Sequence, residues 1–289
     1  METNCAICPR RCGANRSQNR GICGVPDKLY LARAALHHWE EPCLSGRQGS
    51  GAVFFCGCNM GCIFCQNHEI SQKGKGKPVT LARLQEIFRE LEAQGAHNIN
   101  LVTPTHYTEQ LLPLLDDISL PVVWNSSAYE STETLKKLQD KVDVYLPDFK
   151  FADPALANQL AHAPDYPEIA KAAIIEMYRQ VGPYRMENGL LRSGLLIRHL
   201  VLPGKTENTR TVIDWVADTF SPGQILFSLM RQYTPYRQLA DPDLNRRLDK
   251  REWIRARNYM KKKGITEGFV QDLSSAKEEY TPAFDFTGL

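Results

Sequence analysis

Three cysteines stand in the loop Cys58-Asn-Met-Gly-Cys62-Ile-Phe-Cys65, a C-x3-C-x2-C spacing directly after the apolar run Ala52 to Phe55. Three thiolates in one tight loop can hold three irons of a cubane cluster, whereas an electron-transfer cluster is usually closed by four cysteines. The fourth iron is then open, and an open metal position lets a substrate or cofactor coordinate directly. The competing chemistry is zinc, held by the same three cysteines or completed by a distant ligand, because zinc accepts similar short spacings. Cys56 lies two residues before Cys58 and would face the same way in an extended chain. It is the nearest candidate for a fourth ligand and is expected not to be one.

A second set, Cys5-x2-Cys8-Pro-x2-Cys12 followed by Cys23, occupies the first 28 or so residues. Four thiolates so spaced suit a closed tetrahedral site that staples a segment too short to build its own core. Zinc or a second iron–sulfur cluster would serve, and the spacing does not choose between them. A structural role is the default, with electron relay to the first loop as the sharper alternative. Cys43 reads as a small buried apolar residue.

The elements that must position these loops follow from the apolar patterning. From about residue 51, extended apolar runs alternate with amphipathic helices, the pattern of β/α units around a parallel sheet. Strands are expected at Ala52 to Cys56, Asn98 to Val102, Val122 to Trp124, Val142 to Leu146, Leu195 to Val201 and Ile225 to Leu229. Helices are expected at Leu81 to Gln94, with Thr80 as N-cap and Gly95 past the end, at Ile169 to Val181 and at Thr209 to Phe220. Six strands with right-handed crossovers make an α/β fold with a curved, incomplete barrel. Three segments are expected: 1–50, cysteine-rich; 51–235, the core; and 236–289, a helical extension with one long helix over Asp243 to Lys263. That helix is rich in Arg and Lys but carries Asp249 and Glu252, so it reads as a solvated face rather than a nucleic-acid surface.

In barrels of this kind, functional residues lie at the C-terminal ends of the strands. Those ends are polar here: Thr103-Pro104-Thr105-His106, Asn125-Ser126-Ser127, Asp148-Phe149-Lys150, Arg198-His199 and Arg231-Gln232-Tyr233. Asp148 and Lys150, two apart, project to the same side of an extended segment and suit a joint polar site. The chain's 35 Lys and Arg nearly balance its 33 Asp and Glu, giving no general electrostatic case for nucleic acid or membrane. The start Met-Glu-Thr-Asn-Cys lacks a basic-then-apolar signal, and no apolar run is long enough to span a bilayer. A cytoplasmic location is expected, in which nine cysteines point to metal or redox chemistry rather than disulfides.

The cysteine spacing, with aromatic Phe64 before the last cysteine, resembles the signature of the radical S-adenosylmethionine (radical SAM) superfamily. The likeness is closest to the pyruvate formate-lyase-activating-enzyme-like branch, through Cys-Pro-Arg-Arg-Cys from Cys8, His38-Trp-Glu-Glu-Pro-Cys43, Cys58 to Asn67, Tyr145 to Lys150 and Arg198 to Gly204. Within that branch it resembles the subgroup with a cysteine-rich head. The resemblance implies a partial (β/α)6 TIM-like barrel, a 4Fe-4S cluster on Cys58, Cys62 and Cys65, and SAM on the open iron. It implies an oxidoreductase that cleaves SAM reductively to a 5′-deoxyadenosyl radical, which abstracts hydrogen from a substrate such as a glycine or side chain of a partner protein. An electron donor such as flavodoxin or ferredoxin is implied as well.

Position by position, the resemblance assigns Asp148 and Lys150 as catalytic, with Lys150 also pairing with the SAM carboxylate. It places Asn125 and Ser126 near ribose and carboxylate, and Arg198 beside adenosine. Where activases carry Gly-Gly-Glu this chain has Thr103-Pro104-Thr105, which would move the contact with the SAM amino group to a hydroxyl or backbone carbonyl. Tyr233 stands where activases carry a histidine, and Phe64 is expected beside the cofactor. Two other functions remain open from sequence: modification of tRNA or a small metabolite, and a non-catalytic iron–sulfur electron carrier.

Overall fold

A computed structural model describes residues 5–271 and 282–289; Met1 to Asn4, where the reading of the N-terminus begins, lie outside the described residues. Its strands are β1 (Leu29–His37), β2 (Ser50–Phe55), β3 (Lys77–Val79), β4 (Ile99–Val102), β5 (Val122–Ser126), β6 (Val144–Pro147), β7 (Arg185–Glu187), β8 (Leu190–Leu200), β9 (Leu226–Met230) and β10 (Gly268–Val270). They form one sheet in the order β10-β9-β8-β6-β5-β4-β2-β1-β3, with β7 as a hairpin partner of β8. Neighbours from β2 through β10 are parallel, while β1 runs antiparallel to both β2 and β3. The arrangement is an α/β fold with a parallel core, a partial barrel that stays open between its two edges.

Every residue of β2, β4, β5, β6 and β9 is buried. A parallel strand is covered on both faces, which is why these segments read as mostly apolar runs rather than alternating ones. The helices lie outside. Leu81–Ala93 begins where the Thr80 hydroxyl accepts from the Arg83 amide at 3.1 Å, and buries the stripe Leu84, Ile87, Phe88 and Leu91. Each such side chain contributes roughly 1.5–3 kcal/mol relative to exposure, so packing outweighs the marginal stability of a 13-residue helix alone. Tyr166–Val181 and Thr206–Thr219 cover further strands, each starting three residues before the sequence reading.

The sheet exceeds the six expected strands at both edges. β1 lies inside the segment read as a cysteine-rich head, yet it pairs with β2 over Leu31 to His37. β10 lies inside the C-terminal extension, yet it pairs with β9. The single helix expected over Asp243 to Lys263 is instead a 3-10 turn at Pro242–Asn245 and a helix at Lys250–Lys262. The break falls where Asp249 caps the second helix and the Glu252 carboxylate reaches back to the Asp249 amide at 2.9 Å, a reciprocal cap that fixes the start. Residues 285–287 lie along β1, through Phe286 N to Ala32 O at 3.1 Å and Ala34 N to Thr287 O at 2.9 Å. Among the described residues, no helix is long and apolar enough to cross a membrane.

Candidate functional site

Because the core strands are parallel and paired in step, their C-terminal ends fall at one rim. Val102 is beside both Phe54 and Asn125, Ser126 is beside Pro147, and Asp148 bridges to Arg198. A cavity of about 480 Å³ opens at that rim. Its walls include Cys58, Cys62, Cys65, Phe64, Thr103, Asn125, Ser126, Asp148, Lys150, Arg198 and Tyr233. The structure thus brings together residues from five separate strand ends, and all but one of those assigned to the site around the C-x3-C-x2-C loop.

The exception is Thr105. It sits in a 3-10 turn and donates its hydroxyl to the buried Glu130 carboxylate at 2.8 Å, outside the cavity wall. Its hydroxyl is a structural partner of Glu130 rather than a cavity group, because Glu130 needs donors once buried. Thr103 does face the cavity, with a φ of 62°. A β-branched residue in the left-handed region is strained, and such strain persists where surrounding structure demands that backbone. Here the Thr103 amide is pinned to the Asn125 carbonyl at 2.8 Å.

The three thiols of the loop share one space with Lys150. Burial pushes the Cys62 thiol up to about 12; the Lys150 ammonium opposes that rise, and Cys58 and Cys65 add to it. Burial raises Cys65 as well. Three thiolates can coexist there only with compensating positive charge among them, which is what a thiolate-bound metal group supplies. Among the described residues, no three of His, Cys, Asp or Glu are gathered around the position of a single ion. A cubane does not ask for that, since each cysteine meets a different iron. Cys56 is turned away, its thiol 3.4 Å from the Lys75 carbonyl and packed with Ala32, Ala52 and Phe54. Phe64 closes the inner wall, edge-on to Phe151 at a ring distance of 6.2 Å and tilted on Tyr233 at 6.1 Å. Tyr233 offers its ring and not its hydroxyl, which donates to the Leu244 carbonyl at 2.6 Å.

Facing the loop is a network of charge. Asp148 accepts from Lys150 Nζ and from Arg198 Nε, each at 2.7 Å. Arg198 also donates to Glu40 at 3.0 Å and to the Asn125 side-chain oxygen at 2.8 Å, and Glu41 lies 3.8 Å away. Burial would raise the Asp148 carboxyl, but Arg198 and Lys150 overcome it and hold it below the usual carboxylate range. Lys150 is likewise held above the usual lysine value by Asp148, with the nearby thiols Cys62 and Cys65 assisting, despite the opposing effect of burial. Burial pushes Glu41 up to about 6, with Glu40 adding to it and Arg198 opposing. Tyr166 underpins the segment: its hydroxyl accepts from the Lys150 amide at 2.9 Å and reaches the Ser127 and Asp148 carbonyls.

In the sequence Glu40 and Glu41 stand out only as part of the motif from His38 to Cys43; in the structure they come from the turn before the short helix Pro42–Ser45. Two adjacent acids before a proline give no hint of a partner 158 residues away.

The four cysteines of the head also meet. The Cys12 and Cys23 sulfurs both approach Gly21, and Cys5 and Cys8 stand within electrostatic reach of Cys23 and of each other.

Comparison with known proteins matches residues 52–216, more than half of the chain, to the family described as the Radical SAM superfamily. An uncharacterised protein of Methanocaldococcus jannaschii is 33% identical over 260 residues, which cover 85% of this chain and 70% of that protein. Among solved structures, SuiB of Streptococcus suis bound to the precursor peptide SuiA aligns with a TM-score of 0.52 and 13% identity, over 76% of this chain and 47% of that one. A second structure of SuiB aligns with a TM-score of 0.50 and 15% identity, over 80% of this chain and 50% of its own. The chain spans about half the length of SuiB, and at these identities the likeness is one of fold.

Proposed function

The chain belongs to the radical SAM superfamily, and from that premise we propose that it is an activase-like oxidoreductase whose substrate is a partner protein. Membership makes it a radical SAM enzyme, with the 4Fe-4S cluster and SAM that the family implies. In our reading Cys58, Cys62 and Cys65 hold the cluster. When bound, the cluster supplies the one electron that splits SAM into methionine and a 5′-deoxyadenosyl radical, which then takes a hydrogen atom from a glycine or side chain. That electron comes from a low-potential donor such as flavodoxin or ferredoxin.

The chain's own residues bind, orient and exclude water. Lys150, on the same wall as the thiols, meets the SAM carboxylate as a point charge. Thr103, Asn125 and Ser126 offer hydroxyl, amide and carbonyl groups to the amino and ribose groups. Arg198 keeps Asn125 and Asp148 in place and flanks the adenosine. Phe64 and Tyr233 close off solvent behind the loop.

The observation that carries the choice of a protein substrate is the cavity's composition. Both cations on its wall, Lys150 and Arg198, are committed to carboxylates, those of Asp148 and of the largely buried Glu40 and Glu41, and the lining adds Trp39 and Val270, which are 57% and 37% exposed. A cavity whose wall cations are already engaged and whose lining carries exposed apolar side chains suits a polypeptide and offers a phosphate backbone little, which weighs against the tRNA reading.

The reconstituted chain, reduced anaerobically and given SAM, should release 5′-deoxyadenosine, and Cys62→Ala should release none. No product from a preparation with verified iron and sulfide would overturn the enzymatic reading. Protein, RNA and small-molecule fractions of a deuterated cell extract separate the substrate classes. Deuterium should reach 5′-deoxyadenosine from the protein fraction, and transfer from either other fraction alone would overturn the proposed substrate.

A further inference from the structure

Residues 5–28 contain no helix or strand, and their carbonyls and amides are joined by turns such as Arg11 N to Cys8 O at 3.0 Å and Gly24 N to Gly21 O at 2.9 Å. A segment without secondary structure and with few apolar side chains cannot hold its shape by burial alone. Its four cysteines nevertheless converge. Gly13 N donates to Cys5 O at 3.1 Å and Cys5 N to Ala14 O at 3.3 Å, which lays Cys5 beside the Cys12 turn. A Cβ on Gly21 would lie 3.3 Å from the Cys23 sulfur and 3.4 Å from the Cys12 sulfur, so the glycine leaves the space between the two thiols clear. Cys8 and Cys23 are buried, Cys5 and Cys12 half-buried.

We propose that Cys5, Cys8, Cys12 and Cys23 hold a second iron–sulfur cluster, closed by all four thiolates and seated directly behind the C-x3-C-x2-C loop. Thiolates in this number exclude hard cations and select zinc or an iron–sulfur cluster. A cluster meets each thiolate at a separate iron and so bridges sulfurs set on separate turns of the segment, which a single tetrahedral ion would have to draw to one point.

The seat is defined by direct contacts. The Cys58 amide donates to the Cys23 carbonyl at 3.1 Å, so a ligand residue of each set is joined by one hydrogen bond. Arg10, between Cys8 and Cys12, donates to the Asn59 carbonyl at 2.8 Å and the Met60 carbonyl at 3.2 Å, inside the other loop. Gly57 makes the approach feasible: its φ is 85°, and a Cβ there would come within 2.6 Å of the Cys23 carbonyl oxygen. The head therefore holds the backbone of the first loop from behind, and two paramagnetic centres placed in these loops lie close enough to sense each other.

The second site does not depend on the proposed reaction, because its test removes the first loop's ligands; only the close seating rests on the cluster of the first loop. In the full chain with Cys58, Cys62 and Cys65 all changed to Ala, reconstituted with iron and sulfide, about four irons and four sulfides per chain should remain. Adding Cys8→Ser and Cys23→Ser should remove them, with circular dichroism checking the fold. In the unaltered chain, the reduced electron paramagnetic resonance spectrum should be broadened relative to the sum of the two single-site spectra. Zinc in place of iron would overturn the cluster assignment. Neither metal, or two disulfides found by alkylation and mass spectrometry under anaerobic handling, would overturn the site, and a spectrum equal to the plain sum would overturn the close seating.

Discussion

Asp148→Asn separates the two halves of the charge network while nearly preserving shape. The native carboxylate accepts from two cations at 2.7 Å each, and its loss leaves them unequally provided for. Arg198 retains Glu40 and Asn125, whereas Lys150 is ion-paired to Asp148. Removing one side of a buried pair costs about 3–5 kcal/mol, mostly from the charge left behind. Arg198 is cushioned and Lys150 is 23% exposed, so the lower end applies, about 3 kcal/mol. For a chain of this size that lowers the melting temperature by roughly 6–12 °C. Lys150→Met removes the stranded charge, so the double variant should be less destabilised than the sum of the singles by about 1–3 kcal/mol. The assay is thermal unfolding of all four forms in parallel by circular dichroism. A shift below about 2 °C for Asp148→Asn, or strict additivity, would refute the idea that Asp148 neutralises Lys150.

Two further outcomes follow from individual side chains. Cys56→Ser should leave iron and sulfide content unchanged, since the thiol faces the Lys75 carbonyl at 3.4 Å; loss of the cluster would make Cys56 a ligand and close the open iron. Burial holds His199 down at about 4, between the Phe149 carbonyl at 2.7 Å and the Thr209 hydroxyl at 2.9 Å. Above pH 6.5 both folded and unfolded chains carry it neutral. As pH falls from 6.5 towards 4 the unfolded chain takes up a proton that the folded chain refuses, and up to about 3 kcal/mol of stability is lost. His199→Gln should flatten the fall in melting temperature between pH 6.5 and 5, and an unchanged slope would count against it.

Much of this fold is legible because parallel strands buried on both faces announce themselves. Val122, Val123 and Trp124, or Val144 to Leu146, are apolar without interruption, and Thr80 with its stripe of Leu84, Ile87, Phe88 and Leu91 marks a helix on both counts. β1 escaped because Leu-Tyr-Leu-Ala-Arg-Ala-Ala-Leu-His has neither clean alternation nor β-branched residues; pairing on both sides makes it a strand. β10 escaped because three residues carry no period. The site was legible through strand ends, since position in a β/α unit is local. Partner choice is not local. Thr105 stands two residues from Thr103, yet it turns to Glu130 because a buried carboxylate draws the nearest hydroxyl.

That distinction bears on which cation meets a ligand. Arg198 is 13% exposed and makes three hydrogen bonds, to Asp148, Glu40 and Asn125, that join β8, β6 and β5 to the turn before Pro42. Releasing it would strand the Glu40 carboxylate and leave Asp148 with Lys150 alone, about 3 kcal/mol or more by the same reasoning as above. It therefore acts as a strut. Lys150 differs: it has one carboxylate partner, 21% exposed, and stands on the wall that carries the three thiols. Exchanging that carboxylate for the carboxylate of a bound amino acid group trades one charged hydrogen bond for another, while Asp148 keeps Arg198. The exchange costs little, whereas a lysine with no partner would be too costly to keep ready in a half-buried wall. Lys150→Met should accordingly weaken SAM binding about tenfold, or about 1.4 kcal/mol. Arg198→Lys should instead show its main effect in melting temperature, and calorimetric titration with SAM finding the reverse order would mean that the strut and the ligand-binding cation have been assigned the wrong way round.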